Sequence, residues 1–133
     1  MDGLDDAAVR QAILETDPEV IINQITALSA PSRDYATWLA VTNRLRSEST
    51  RILMTAAREA GTRRVVVQSA SFMTQPVGSD PTDESSPLYL EAPEPIRSHI
   101  QANIAAETLV LGTPGIERRP RRSVGHRAGG RQG

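Results

Sequence analysis

TNRLRSESTRILMTAAREAGTRRVVVQSASF, residues 42–72, decides how this chain is read. Its first half places Leu45, Ile52, Leu53, Ala56, Ala57 and Ala60 on one stripe at helical spacing. Gly61 follows, a residue free to take the left-handed conformation that closes a helix. Its second half, RVVVQSASF (64–72), is a β-branched run too continuous for a one-sided strand, so it predicts a strand covered on both faces. A helix over roughly 35–60 thus feeds a buried strand.

Upstream, EVIINQI (19–25) is a second short β-branched run of the same buried type, bounded by Pro18. Before it, LDDAAVRQAILET (4–16) aligns Leu4, Ala8, Ala12 and Ile13 on a helical stripe, with acids in the first turn where the helix dipole favours them. Downstream, residues 74–95 hold five prolines and few apolar side chains, which predicts a long surface loop. The spacing of Ile96, Ile100 and Ile104, with Leu111 beyond, predicts a last helix ending near Gly112. Strands alternating with helices imply crossover connections and a parallel sheet, an α/β fold. Two strands that both look buried leave something to cover the sheet.

Composition sets the limits on chemistry. The 133 residues contain no cysteine, so disulfides and thiolate metal sites are excluded. They contain no lysine either, and every one of the 15 basic residues is arginine. Only His99 and His126 could offer imidazole, and no acids converge on them in sequence, so no metal site is expected. No apolar run approaches the ~20 residues that span a bilayer, and the acidic start is unlike a signal peptide, so a cytoplasmic protein is expected. Sixteen acids against nine arginines give residues 1–117 a formal charge of −7, while residues 118–133 carry six arginines and no acid.

Three segments together resemble the NAD-dependent epimerase/dehydratase family, the extended short-chain dehydrogenases/reductases. DPEVIINQITAL (17–28) is similar to that family's fourth strand, of the type PDVVIHLAA. Residues 42–72 are similar to its helix–strand unit, NVEGTRNLLEAAREAGVKRFVYTSSAS. IRSHIQANIAAETLVLG (96–112) is similar to the helix that carries Tyr-x-x-x-Lys and then Ala-Glu. MDGLDDAAVR at the start resembles the stretch after the family's third strand, so the resemblance covers about residues 3–117. It implies a partial Rossmann-like, doubly wound parallel sheet lacking its first βαβ unit and later strands. It also implies NAD or NADP as cofactor and a nucleotide sugar or small hydroxy/keto compound as substrate.

The departures bear on function. The family's glycine-rich phosphate loop is absent, since none of the nine glycines falls in that pattern. Anchored on Ala106-Glu107, the family's Tyr position falls on His99 and its Lys position on Asn103. The family's Lys lowers the Tyr pKa and holds the nicotinamide ribose; a His–Asn pair does not reproduce this. The family's Ser position falls on Ala70, flanked by Ser69 and Ser71. The resemblance therefore nominates Asn43, Ser69, Ser71 and His99 as catalytic candidates, with Asn103 at the cofactor-binding position.

Plainer readings stand beside each candidate. Serines after a buried strand commonly satisfy local backbone groups. His99, Asn103 and Glu107 lie four apart on one helix and would equally form a polar solvent edge. Asn43, a mediocre helix former, would bridge backbone or water. The acidic 74–95 loop matches the family's variable substrate-recognition segment or is merely exposed. The tail, RRPRRSVGHRAGGRQG, has no aromatic for stacking and follows an acidic body, which argues against nucleic-acid recognition. An arginine-rich, lysine-free run is also what a shifted reading frame in GC-rich coding DNA produces.

Two functional expectations follow. One is a truncated oxidoreductase-like chain, weakly active or inactive alone, with residues 1–117 a partial NAD(P)-binding domain and 118–133 a tail. The other is a non-catalytic interaction module whose sheet edges pair with another chain, or with a second copy, that supplies further strands.

Overall fold

The computed structural model describes residues 2–27, 34–70, 73–76, 82–83 and 85–113. Helix α1 (Asp6–Thr16) leads into strand β1 (Val20–Asn23). Helix α2 (Tyr35–Arg44) continues through a π-helical segment (Leu45–Ser49) into α3 (Thr50–Glu59), and strand β2 (Arg64–Val67) and helix α4 (Ile96–Gly112) follow.

Local chemistry sets the ends of these elements. The Asp5 carboxylate caps α1 by accepting the Ala8 N–H at 3.0 Å, and Asp17 closes that helix with φ of 43°. The Asp34 carboxylate caps α2 through the Ala36 and Thr37 N–H groups. After α3, Gly61 adopts φ of 74° and donates to the Arg58 carbonyl, while the Thr62 N–H reaches back to the Ala57 carbonyl at 2.9 Å. That pairing is a Schellman closure, and it satisfies carbonyls that the helix end would orphan.

Strands β1 and β2 pair in parallel, Val20 opposite Arg64 and Asn23 opposite Val67. Both are shorter than the sequence predicts, and neither is covered on both faces. Ile21, Val65 and Val67 face the helices, packing with Leu53, Met54 and Ala57 of α3 and Val110 of α4. The opposite face carries Val20 at 40%, Ile22 at 67% and Val66 at 44% exposure. The reason is topological. The side chains of α1, α3 and α4 that reach the sheet all pack on its Ile21 side, and no described element lies on the other.

On the covered side, Val9 and Ile13 of α1 meet Ile52 and Ala56 of α3. The α1 stripe is therefore rotated from the expected one: Val9 is buried, while Leu4, Ala8 and Ala12 are only partly so. Ala102 and Ala106, both buried, allow α4 a close approach to its neighbours.

The proline-rich segment is more than a surface loop. Met73, Ala92 and Ile100 form a core of their own, with Leu88, Tyr89, Ile96 and Ile104 packed around it. Thr74 bridges antiparallel to Leu88, and the Tyr89 N–H donates to the Met73 carbonyl at 2.8 Å. This clasp anchors both ends of the segment to the first turns of α4. Among the described residues no helix is long and apolar enough to cross a membrane, and no group of three side chains could hold a metal ion. The arginine-rich tail and the expected boundary at residue 117 lie outside the described residues.

Candidate functional site

Helix α4 lies against α2, the π-helical segment and β2, and the candidate residues gather along that seam. His99 and Asn103 are 3% and 1% exposed, so they do not form a solvent edge. Their i, i+4 spacing on one face is real, but α2 covers that face. The His99 Nδ1 lies 2.6 Å from the Asn43 Oδ1. With the amide oxygen facing the ring, Nδ1 carries the proton and donates, and Nε2 is then the basic nitrogen of the neutral imidazole. Burial pushes the His99 pKa below its ordinary value, and the nearby Arg46 cation pushes it the same way.

Asn103 uses its amide locally. Its Nδ2 donates to the His99 carbonyl at 2.8 Å, one turn back on the same helix. The side chain that the resemblance sets at the family's Lys position is thus uncharged, buried and tied into its own helix. It does not fit the ribose clamp that a lysine ammonium supplies there.

The serines divide. The Ser69 hydroxyl donates to Glu107 Oε1, which joins the end of β2 to α4 two turns beyond His99. Ala70 is half-buried against the Met73 core. Ser71 lies outside the described residues. Asn43 and His99 are therefore brought together, Asn103 supports His99 through backbone, and Ser69 is held by a carboxylate.

Arg46 joins the site without being among the residues that the sequence nominates. It sits in the π-helical segment, 8% exposed, and one guanidinium nitrogen donates to the Gln68 carbonyl at 2.9 Å, at the carboxyl end of β2. Its Nε is buried with no hydrogen-bond partner. Leaving such a donor unmade typically costs about 1–3 kcal/mol. Burial lowers its pKa from the ordinary arginine value, yet a guanidinium stays protonated. The signal was in the register. Counted back without gaps from AAREAG, the Asn of the family's NVEGTR falls on Arg46, one turn after Asn43. The local π geometry accompanies a competing bond, since the Ser47 hydroxyl donates to the Asn43 carbonyl at 3.0 Å. Such π segments are frequent at functional sites.

No family profile matches the chain. Over 94 residues it is 46% identical to the 3-diazoavenalumate denitrifying reductase of Streptomyces sp, a match covering 71% of this chain and 31% of that protein. Its structure aligns with the Bordetella bronchiseptica enzyme WbmG, crystallised with NAD and UDP, at a TM-score of 0.63 and 19% identity. That alignment covers 86% of this chain and 34% of WbmG. The chain has the fold of the NAD-dependent epimerase/dehydratase family. It spans about a third of the length of both proteins.

Within that family fold, the parallel β1–β2 pair and its helices are a partial Rossmann-like sheet, as expected from residues 17–28 and 42–72. NAD is the family's cofactor, as the WbmG complex illustrates. The Asn43–His99–Arg46 group lies at the carboxyl end of β2, and in open α/β sheets ligands bind at the carboxyl ends of strands.

Proposed function

We propose that this chain is an oxidoreductase-like member of the NAD-dependent epimerase/dehydratase family, with little or no turnover by these 133 residues alone. Its substrate class would be a nucleotide sugar or a small hydroxy/keto compound. The observation that carries this reading is the Asn103 amide, bonded to the His99 carbonyl where the family places a charged lysine. No ammonium is present to steady a ribose or to lower the pKa of a proton donor. His99 would offer a neutral imidazole whose protonation is opposed by burial and by Arg46, which makes it a weaker base than a tuned tyrosinate.

The reading keeps residues 1–117 as one partial NAD(P)-binding-type domain and the arginine-rich 118–133 as a tail. Because the Streptomyces relative is named for a diazo compound, diazo acids join the substrate panel beside keto sugars and keto acids. The test is consumption of NADH and NADPH by the purified chain across that panel. The expected result is turnover near the uncatalysed rate. Sustained turnover that His99→Phe abolishes would overturn the reading.

A second reading has its own support. The outward face of the sheet exposes Val20, Ile22 and Val66, which suits a non-catalytic module completed by another chain or a second copy. Addition of a separate chain bearing the glycine-rich loop discriminates the two. Restored nicotinamide turnover favours the oxidoreductase reading, and stable assembly without turnover favours the module.

A further inference from the structure

We propose that Arg46 is the anchor for a carboxylate on the molecule this site binds. The inference rests on the reading of the seam between α2, α4 and β2 as a substrate site.

Three observations converge. Arg46 is more than nine-tenths buried, and none of the ion pairs among the described residues includes it. Its fixed contact is to a backbone carbonyl, that of Gln68, which holds one guanidinium nitrogen at 2.9 Å without neutralising the charge. Its Nε–H has no acceptor at all. Buried charges are ordinarily paired, and buried donors are ordinarily satisfied. Here one side chain departs from both rules at the end of a strand where α/β folds take their ligands.

The geometry selects the ligand. A guanidinium presents a planar edge that matches the two oxygens of a carboxylate. One cation offsets one negative charge, so a monoanion fits better than a phosphate dianion, which calls for further donors. His99 lies beside the arginine as a neutral ring, so it adds no second positive charge. The Gln68 carbonyl fixes the plane of the guanidinium and thus the direction from which an acid would approach. This would select substrates bearing an acid group over neutral hydroxy/keto compounds of equal size.

The test needs no cofactor and no turnover. The ¹⁵N-labelled 133-residue chain is titrated at constant ionic strength with cinnamate, with its neutral isostere cinnamamide, and with inorganic phosphate. The readout is the Arg46 Nε–H cross-peak, assigned through its bonded side-chain carbons. Cinnamate should move it saturably, cinnamamide should not, and Arg46→Gln should weaken cinnamate binding by roughly tenfold or more with Arg46→Lys retaining part of it. If the glutamine variant does not fold, the acid–amide comparison on the native chain decides. No movement, equal movement with the amide, or saturable movement with phosphate alone would overturn the proposal. Sustained turnover that His99→Phe abolishes, beside a clean cinnamate response, would overturn the reading of a chain with little activity of its own and leave the anchor standing.

Discussion

His99 and Asn43, fifty-six positions apart, hold one proton between them: the imidazole Nδ1 lies 2.6 Å from the amide oxygen. The contact ties α4 to α2 inside the seam where the family's chemistry would sit. Asn43→Ala leaves a buried N–H without its acceptor and should cost about 1–3 kcal/mol in chemical denaturation. Asn43→Asp puts a carboxylate on the same atom position. It should raise the His99 pKa, seen as a later titration of the ring Cε1 proton in NMR. An unchanged titration midpoint in the aspartate variant would mean that the two side chains do not meet.

The depressed pKa of His99 makes a second prediction about pH. The folded value is below the unfolded one, so the unfolded chain binds the extra proton more readily. Stability is therefore fully present above the unfolded value near ~6.5 and is lost as pH falls from there through the folded value. Asp34, Glu59, Asp83 and Glu94 are also lowered, but as carboxylates below 4.5 they act in a more acidic window. Denaturation midpoints should decline between about pH 7 and about pH 5, and His99→Gln should flatten that decline.

Gly61 and Ala57 test the α3–β2 corner. Gly61 holds φ of 74°, so Gly61→Ala forces a Cβ into the left-handed region and should cost roughly 1–2 kcal/mol. Ala57 is fully buried against Met54 and Val65, and Ala57→Leu should cost about 1–3 kcal/mol by overpacking. Thermal unfolding of both variants checks the corner. A neutral glycine substitution would contradict the helix closure described for Thr62 and Gly61.

Ile22 tests the bare sheet face. At 67% exposure it contributes little to the chain's own core, so Ile22→Glu should change stability by only about 0.5 kcal/mol or less. The same variant should reduce any concentration-dependent association seen by sedimentation. Strong destabilisation without change in association would show that this face is covered within the chain.

Legibility in the sequence followed the kind of evidence each residue offered. The bounds of α4 matched the Ile96–Gly112 periodicity, and the Gly61 closure was visible because few other residues take that conformation cheaply. The strand positions were legible, yet their burial was not. A run such as RVVV records what suits a strand and does not record which layers cover it. His99 and Asn103 were ambiguous because polar residues four apart look the same on a wet face and in a seam. Arg46 is hard to read for a similar reason: an arginine in a helix is usually solvated, and only α4 and Gln68 show this one to be enclosed. The clasp around Met73 and Ala92 was hidden by prolines that read as exposed loop.

With Asn103 uncharged and tied to the His99 carbonyl, the proposal is that these 133 residues carry the helices and strands around the site but do not by themselves hold a nicotinamide nucleotide. The most direct measurement is the ¹H–¹⁵N correlation spectrum of the chain, alone and with NAD or NADP added in turn. Neither nucleotide should move the His99 and Asn103 signals saturably. Dispersed peaks at those two residues shifting to saturation at micromolar nucleotide would contradict it.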